Sequence, residues 1–262
     1  MADPATADLA QAIAAASAEA GQMALARWRT EFRAWEKEEG SPVCEVDLDV
    51  DRMLRARLGA LIPAAGWLSE ETADDPARLA CDHVWVVDPI DGTRDYIRGR
   101  RGWCVSVALV ERGQPVIAVL DAPARRERWI AVAGAGASRN GVTLAAGPRA
   151  TLAGARVPAD ALPKADRDFV AVDKPNSIAL RIAMVAADEA DLVATLRWGH
   201  EWDIAAAVLV ASEAGAATSD ALGGALSFNK PDPQAFGVLA SAPGIHAAAV
   251  ARLAGRAAAV LG

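Results

Sequence analysis

Residues 84–93 read Val84-Trp85-Val86-Val87-Asp88-Pro89-Ile90-Asp91-Gly92-Thr93, an apolar run that leads into two carboxylates and a Gly-Thr pair. The apolar run predicts a buried strand. Because proline cannot donate to a central ladder, the strand is expected to end at Asp88. The turn that follows can bring both carboxylates and the carbonyl of Ile90 to one point. Hard oxygen donors of this kind suit Mg²⁺.

The Gly-Thr pair could also bind phosphate, and the whole motif has a second, purely structural interpretation. If Gly92 and Thr93 open a helix or a turn, their free N–H groups point outward and can hold a phosphate oxygen. The alternative is an aspartate-rich turn in which Asp91 caps a short helix. The segment alone leaves both interpretations open and favours the first.

Two further acidic segments lie far from this one in the sequence. Ser69-Glu70-Glu71-Thr72 follows a short apolar run, and Glu201-Trp202-Asp203 precedes a helix predicted over residues 204–214. Taken singly, the first is typical of a solvated turn, and Asp203 is typical of a helix N-cap. Converging carboxylates repel by about 1–4 kcal/mol per close pair unless a cation lies between them. Together the acidic segments therefore predict a site for divalent cations.

A different phosphatase chemistry also uses neighbouring aspartates. Haloacid-dehalogenase-type enzymes carry D-x-D-G-T, in which the first aspartate is a nucleophile, whereas this chain has D-P-I-D-G-T at residues 88–93. The extra residue changes the direction in which the two side chains face along an extended segment. No downstream acidic pair completes that machinery, so this alternative is disfavoured.

Composition and charge narrow the classes of protein further. The 262 residues are 53% apolar and 23% charged, as in a globular protein with a sizeable core. The formal charge of −7 gives no electrostatic reason to bind nucleic acid or an anionic membrane, and no apolar run approaches membrane-spanning length. Three scattered cysteines argue against a zinc site or a disulfide framework, and the acidic N-terminus argues against a signal peptide. We therefore expect a reduced, cytoplasmic protein.

The hydrophobic pattern predicts an α+β fold in two layered subdomains that share one core. Helical spacing marks the opening segment and residues 45–54, and short apolar runs over residues 84–132 predict an antiparallel meander. After about Pro148, strands and helices alternate. We expect residues 1–147 to form an α+β subdomain with the metal site. Residues 148–262 are expected to form an α/β subdomain that completes the substrate site, and the two act as one unit.

Taken together, the motifs resemble those of the inositol monophosphatase family. The matching elements are D-P-I-D-G-T at residues 88–93, Ser69-Glu70-Glu71 upstream, and residues 201–206 and 213–215 downstream. Residues 41–47 resemble the family's S-P-V-T-x-x-D element, with Cys44 where the family has threonine. The resemblance covers nearly the whole chain. It implies a layered αβαβα sandwich and a Mg²⁺-dependent, lithium-sensitive phosphomonoesterase.

Transferred residue by residue, the resemblance implies a site with two or three Mg²⁺ ions. The implied metal ligands are Glu70, Asp88, the carbonyl of Ile90, Asp91 and Asp203. Asp47 is implied to pair with Thr93, whose hydroxyl, with Glu70 and a metal-bound water, supplies the nucleophile. The amides of Gly92 and Thr93 are implied to hold the phosphate. The implied mechanism is in-line attack by metal-activated water, with a second Mg²⁺ stabilising the leaving alkoxide.

The resemblance extends to the substrate. Residues 93–96, 177–181, 201–203 and 226–230 are similar to segments of 3′(2′),5′-bisphosphate nucleotidases. This similarity implies hydrolysis of 3′-phosphoadenosine 5′-phosphate to AMP and phosphate, and a place in sulfur assimilation. The expected substrate-binding residues are Ser177, Arg197, Lys174 and Arg181, of which the three cations are candidates for the 5′-phosphate.

Other substrates of the family, and a function other than catalysis, stay open. Residues 119–129 also resemble histidinol-phosphate phosphatases, and inositol 1-phosphate is a third candidate substrate. A non-enzymatic binding protein with this fold is less favoured because every acidic position of the implied site is present. Both a monomer and a homodimer are compatible with the sequence. Trp198 and Trp202 are expected to pack in the core rather than to stack on a base.

Overall fold

The computed structural model describes residues 3–38 and 41–261, which form helices and strands in a regular order. The helices are α1 (Pro4–Arg27), α2 (Glu45–Leu61), α3 (Thr93–Ile97), α4 (Ile178–Ala186), α5 (Glu201–Glu213) and α6 (His246–Leu261). The first strands are β1 (Ala34–Glu38), β2 (Ser41–Cys44), β3 (Gly66–Ser69), β4 (His83–Asp91), β5 (Cys104–Glu111), β6 (Gln114–Ala122) and β7 (Glu127–Val132). The remaining strands are β8 (Gly136–Arg139), β9 (Val142–Thr143), β10 (Arg156–Pro158), β11 (Val170–Val172), β12 (Leu192–His200), β13 (Ala217–Ser219) and β14 (Gln234–Ser241).

Strand β4 shows how the sequence builds the centre of the fold. Its side chains alternate, so that Trp85 and Val87 join the core formed with α1 and α2. Val84 and Val86 face the opposite way and join the core formed with α4 and α5. A strand that is apolar on both faces must be covered on both, and these two pairs of helices provide the covers.

The predicted antiparallel meander is confirmed. Strands β3 to β9 form one sheet in the order β3-β4-β5-β6-β7-β8-β9. Pairing is antiparallel throughout except between β3 and β4, which run parallel. Because β3 and β4 are parallel neighbours, the residues that follow them lie at the same edge of the sheet.

The end of β4 differs from the sequence prediction. The expectation that the strand stops at Asp88 is wrong, because the strand continues to Asp91. Pro89 is tolerated inside the strand because it lies in a β-bulge, between the pairs Asp88↔Ser106 and Asp91↔Cys104. In a bulge the regular ladder is interrupted, so the missing N–H of proline removes no required hydrogen bond.

The C-terminal part of the chain completes a five-layer αβαβα sandwich. Strands β12, β14 and β13 form an antiparallel sheet in that order. Helices α4 and α5 lie between this sheet and the seven-stranded one, and α6 packs on its outer face. The predicted fold class, a layered α+β sandwich with alternating strands and helices in its second half, is confirmed.

Helix α5 begins three residues earlier than the sequence pattern predicts. Asp203 therefore lies in the first turn of the helix instead of at the N-cap. One oxygen of its carboxylate accepts a hydrogen bond from the backbone N–H of His200 over 3.2 Å. Asp203 thus satisfies a backbone donor at the helix start, and one of its carboxylate oxygens also lies near those of Glu70 and Asp88.

One helical segment, Pro243–Leu261, is long and apolar enough by length and composition to cross a membrane, with a mean hydropathy of 1.2. The segment is not an uninterrupted apolar run of the kind considered in the sequence, because it contains Arg252 and Arg256. Its inner side packs on the small sheet through Leu253, while Arg252 and Arg256 form ion pairs with Asp166. Such contacts are those of a helix packed on the surface of a folded domain.

The division into two subdomains at residues 147 and 148 stays a prediction. The largest core cluster contains residues from both sides of that position, such as Val84 and Val238. The outer limits, residues 1 and 262, lie outside the described residues. A shared core of this kind couples the two halves of the chain, because neither half buries its apolar surface alone.

Candidate active site

The bulge in β4 turns two carboxylates to the same side of the sheet. The three steps from Asp88 to Asp91 oppose only two steps of β5, from Ser106 to Cys104, so β4 carries one extra residue. In a regular strand, residues three apart face opposite sides, and the extra residue restores the alignment. Asp88 and Asp91 accordingly line one cavity of about 400 Å³ at the carboxyl end of β4.

Three carboxylates from three different elements meet in this cavity. Glu70 follows β3, Asp88 lies in β4, and Asp203 lies in the first turn of α5. One oxygen of each lies within 4.8 Å of the corresponding oxygens of the other two. This spacing allows a single cation to contact all three, and oxygen donors are the ligands that Mg²⁺ prefers. The predicted convergence of Glu70, Asp88 and Asp203 is confirmed.

Burial and mutual repulsion raise the pKa of all three carboxyl groups. Burial, followed by the charge of Asp203, raises the pKa of Glu70 to about 8. Burial, followed by the charge of Asp91, raises the pKa of Asp203 to about 7. The pKa of Asp88 is raised well above its ordinary value, first by burial and then by Glu70. A divalent cation among these oxygens would offset both causes, so the donor set and its electrostatics fit Mg²⁺.

Asp91 lines the same cavity, but its carboxylate is held by the start of α4. The hydroxyl of Ser177 donates to it over 2.5 Å. The backbone N–H groups of Ile178 and Ala179 donate to it over 3.3 and 2.7 Å. Asp91 therefore does cap a helix, although this helix is α4 and not the short α3 that follows it in sequence. A carboxylate has about four acceptor sites, so the predicted role of Asp91 as a ligand stays compatible with this capping.

Ser177 is buried and its hydroxyl contacts groups of the protein, so its predicted contact with substrate stays a prediction that this burial does not favour. The residue is 0% exposed, and its hydroxyl is used inside the protein. It donates to Asp91 and accepts a hydrogen bond from the N–H of Leu180 over 2.9 Å. The physical reason is local: Ser177 is the N-cap of α4, and this position turns its hydroxyl towards the helix. Ser177 is a positioning residue for Asp91.

Ser177→Ala should lower kcat about tenfold and leave KM within about twofold, because it frees the Asp91 carboxylate without removing a substrate contact. Loss of the N-cap should also lower the free energy of unfolding by about 1 kcal/mol. Steady-state kinetics and thermal melting measure both effects. Ser17→Ala is the matched control, because the fully buried hydroxyl of Ser17 bonds only to the backbone of α1. A rise in KM at unchanged kcat would support the substrate-contact interpretation.

The predicted pair of Asp47 and Thr93 is in contact at the edge of the cavity. The Thr93 hydroxyl lies 3.2 Å from one oxygen of Asp47 and 2.9 Å from the carbonyl oxygen of Ile90, and it can donate to either. The other oxygen of Asp47 accepts from the N–H and the thiol of Cys44, both over 2.8 Å. Burial raises the pKa of the Cys44 thiol, which keeps it protonated as a donor. Cys44 thus provides a donor where the family has a threonine hydroxyl.

Gly92 occupies a position that excludes any other residue. Its φ of +96° is left-handed, and a Cβ there would lie 2.6 Å from the carbonyl oxygen of Gly102 and 2.9 Å from the nitrogen of Ser177. Helix α3 begins at Thr93 with Gly92 as its N-cap, so the condition under which the Gly-Thr pair could hold a phosphate is met. Gly92 and Thr93 both line the cavity, and their binding of phosphate stays a prediction.

Sequence reasoning missed two charged residues of the site, Lys37 and Glu71. The Lys37 ammonium lies 2.6 Å from the carboxylate of Glu71 and 3.7 Å from that of Glu70. The Glu71 side chain is only 2% exposed, and burial raises its pKa to about 7. The second glutamate of Ser-Glu-Glu was a signal for Glu71. Nothing in the sequence pairs it with Lys37, because that contact depends on how the β1–β2 hairpin folds over the site.

The three cations predicted to bind substrate all line the cavity, but they differ in the protein groups that they contact. Arg181 donates to the carbonyl oxygens of Pro175 and Asn176 over 2.7 and 2.5 Å. The ammonium of Lys174 forms an ion pair with Asp160. Within the described ranges, Arg197 makes no hydrogen bond or ion pair, and its charge lowers the pKa of Asp203. Contact of these cations with substrate stays a prediction.

The two tryptophans near the site differ in their surroundings. Trp198 is 54% exposed, so the expectation that it packs in the core is wrong. It follows Arg197 at an irregularity of β12 and lies edge-on against Phe236, with ring centroids 5.4 Å apart. Trp202 is half-buried and stacks on the ring of His200 at 4.3 Å.

The fold and the site together define a layered α+β protein with an acidic cluster that could hold a metal ion at the carboxyl edge of its central sheet. The chain belongs to the inositol monophosphatase family, whose model matches residues 6–258. The resemblance found in the motifs is thereby confirmed. Members of this family are Mg²⁺-dependent phosphomonoesterases that act on small phosphorylated substrates.

Relatives of this chain have different named activities. A 3′(2′),5′-bisphosphate nucleotidase CysQ of Aggregatibacter actinomycetemcomitans is 32% identical over 212 residues, which are 74% of this chain and 77% of the relative. A histidinol-phosphatase of Mycobacterium tuberculosis is 39% identical over 101 residues, 38% of each chain. The solved structure of Thermotoga maritima IMPase TM1415 has a TM-score of 0.81 at 25% identity, and the match covers 95% of this chain and 97% of that one. Family membership therefore leaves the substrate open.

Proposed function

We propose that this protein is a cytoplasmic, Mg²⁺-dependent phosphomonoesterase of sulfur assimilation that hydrolyses 3′-phosphoadenosine 5′-phosphate to AMP and phosphate. The observation that carries the proposal is the convergence of Glu70, Asp88 and Asp203 within 4.8 Å. The cavity they occupy is also lined by Gly92 and Thr93. A cluster of this charge attracts divalent cations, and such cations in turn offset the charge of a phosphate ester.

The residues proposed to hold two or three Mg²⁺ ions come from three places in the fold, the end of β3, strand β4 and the first turn of α5. They are Glu70, Asp88, the carbonyl of Ile90, Asp91 and Asp203. When bound, Mg²⁺ supplies Lewis-acid activation of the attacking water and stabilises charge on the leaving oxygen. The residues of the chain position the substrate. The N–H groups of Gly92 and Thr93 at the start of α3 are proposed to bind two phosphate oxygens.

Thr93, Asp47 and Glu70 are proposed to handle the proton of the attacking water. When Thr93 donates to Asp47, the lone pairs of its hydroxyl remain available to accept a hydrogen bond from that water. Glu70, which lines the same cavity, is the second acceptor. Hydrolysis breaks the bond between phosphorus and the ribose 3′ oxygen, which takes up a proton, so one water is consumed for each phosphate released.

Charge around the cavity supports a substrate with a second phosphate. Arg181, Arg197 and Lys174 all line the cavity and favour an anionic leaving group over a neutral one, whichever cations contact its phosphate. The similarity to a bisphosphate nucleotidase supports the same substrate. Histidinol phosphate and inositol 1-phosphate are the alternatives within the family, and the first has the support of a similar histidinol-phosphatase.

Phosphate release from these three substrates, with Mg²⁺ and with excess chelator, tests the proposal. We expect kcat/KM for 3′-phosphoadenosine 5′-phosphate to exceed the other two by about tenfold or more, because a paired second phosphate adds roughly 1.4 kcal/mol or more. Turnover should stop in chelator and return when Mg²⁺ is added back. Equal rates on all three substrates would contradict the substrate assignment. Absence of turnover on every ester would favour the non-enzymatic binding protein instead.

A further inference from the structure

A group of arginines lies beside the active site and has no part in the function proposed so far. Four of the eight residues from 94 to 101 are arginine, in a chain whose formal charge is −7. A local surplus of cations in a protein of opposite net charge creates a positive potential confined to one place. Such a place attracts anions that the rest of the surface repels.

Three of these arginines open onto a second cavity of about 520 Å³, which we call the arginine cavity. Its cations are Arg98, Arg100, Arg101, Arg125 and Lys174. Lys174 and Asn176 line both this cavity and the active-site cavity. The two cavities are therefore neighbours that share a wall.

The three arginines have few partners among the described residues of the protein. Among residues 3–38 and 41–261, the side chains of Arg98 and Arg101 make no hydrogen bond and no ion pair. Arg100 approaches the carboxylate of Asp95 only to 3.9 Å, and its side chain is 66% exposed. An anion that enters the cavity therefore finds guanidinium donors without having to displace an existing partner.

The other charged groups of the arginine cavity largely balance one another. Lys174 forms an ion pair with Asp160. Arg125 pairs with Glu127 over 2.9 Å, and the charge of Asp173 also acts on it. The three arginines are opposed by Asp95, which Arg100 approaches, and by Asp160, on which the charge of Arg100 also acts, but the cations that line the cavity outnumber its carboxylates.

The wall that carries these arginines is held firmly in place. A Cβ at Gly102 would lie 2.1 Å from a carboxylate oxygen of Asp95 and 2.8 Å from the nitrogen of Asn176. The Asp95 carboxylate also accepts a hydrogen bond from the N–H of Asn176 over 3.2 Å. On the outer side, Arg29 donates two hydrogen bonds to the carbonyl oxygen of Gly99, over 3.0 and 2.8 Å. Because these residues are already ordered, they lose little conformational entropy when a ligand binds.

We propose that the arginine cavity is a phosphate-binding subsite outside the metal centre, and that it holds the second phosphate of a bisphosphorylated substrate whose first phosphate lies at Gly92 and Thr93. Guanidinium groups bind phosphate through paired N–H donors, and this geometry favours a dianion over a neutral alcohol. The assignment of the second phosphate rests on the proposed function. The affinity of the cavity for phosphate does not.

The first experiment measures binding of inorganic phosphate to the full chain by calorimetry, with excess chelator and no divalent cation. Under these conditions the metal centre has no cation to bind phosphate, and comparison with a variant of the arginine cavity shows how much of the binding occurs there. We expect the wild type to bind phosphate and the double variant Arg98→Ala/Arg101→Ala to bind it at least about tenfold more weakly. Equal binding by both proteins, or absence of binding to the wild type, would overturn the subsite.

The second experiment compares substrates with and without the second phosphate, in the presence of Mg²⁺. For 3′-phosphoadenosine 5′-phosphate, the double variant should raise KM about tenfold and leave kcat within about twofold. For adenosine 3′-phosphate, both constants should stay within about twofold of the wild type. Arg55→Ala is the matched control, because Arg55 is an exposed arginine of α2 that lines neither cavity.

The outcomes separate the subsite from the proposed function. If neither nucleotide is hydrolysed, the proposed function fails, and the calorimetric result alone decides the subsite. If phosphate binding is lost but KM is unchanged for both nucleotides, the cavity binds free phosphate and the assignment to the substrate is overturned. A selective rise of KM in Arg197→Ala, without one in the double variant, would also overturn that assignment, because it would place the second phosphate at Arg197 in the active-site cavity.

Discussion

Asp88→Asn should lower kcat about 10³-fold or more, because it removes the central negative charge from the proposed metal site. The charges of Glu70, Asp91 and Asp203 all act on Asp88, so no other carboxylate can take its place. The fold should survive the change. Asparagine has the same shape, and its carbonyl oxygen can still accept the hydrogen bond that the N–H of Ile90 donates over 3.0 Å.

Phosphate release at saturating Mg²⁺ measures this effect, and thermal melting in chelator checks the fold. Asp82→Asn is the matched control, because Asp82 is exposed and directly precedes the same strand. In chelator, the melting temperature of Asp88→Asn should equal or exceed that of the wild type, because one buried negative charge has been removed. Activity above about a tenth of the wild type would contradict the proposed metal centre.

Without divalent cations, the stability of the protein should fall as the pH rises from about 5 to about 8. The pKa of Glu70 is raised from an ordinary 4.5 to about 8, and that of Asp203 from 3.8 to about 7. A carboxyl whose pKa is higher in the folded state binds more protons there than in the unfolded state. Stability then decreases between the unfolded and the folded pKa, here by on the order of a few kcal/mol. The melting temperature in chelator should drop by about 5–10 °C over this range.

Mg²⁺ should reverse this trend, because the cation replaces the protons that the carboxylates would otherwise hold. The gain in melting temperature on adding Mg²⁺ should therefore be larger near pH 8 than near pH 6. Asp88→Asn serves as the control, since it should show a smaller fall in chelator and a smaller gain with Mg²⁺. A melting temperature that rises with pH in chelator, or a gain that is independent of pH, would show that the carboxylates do not share a cation site.

Much of the fold could be predicted because it depends on local patterns. The apolar run 84–87 is buried on both sides, and the short apolar runs after it alternate with turn residues, as expected of a meander. The helices α1 and α2 follow from helical spacing. The conformation of β4 around Pro89 could not be predicted, because proline normally ends a ladder and only the partner strand β5 shows that a bulge accommodates it.

The candidate site likewise contains some residues that could be predicted from the sequence and others that could not. Glu70, Asp88 and Asp203 could be proposed because each sits at a recognisable junction of strand or helix. The roles of Ser177 and Lys37 could not be predicted. A serine before a helix is ordinarily an N-cap, and a lysine in a hairpin is ordinarily solvated. Their contacts with Asp91 and Glu71 join segments that are far apart in the chain.

By itself, the sequence determined which chemical groups are available: acidic residues at the junctions of secondary structure, a Gly-Thr turn, and a run of arginines after it. These follow from residue type and short-range spacing. Only the tertiary structure decided that three carboxylates lie within 4.8 Å of one another and that the arginines face a second cavity across a shared wall. The physical reason is that electrostatic interaction and metal coordination depend on distances in space, and these distances are set by the packing of the layers and not by separation along the chain.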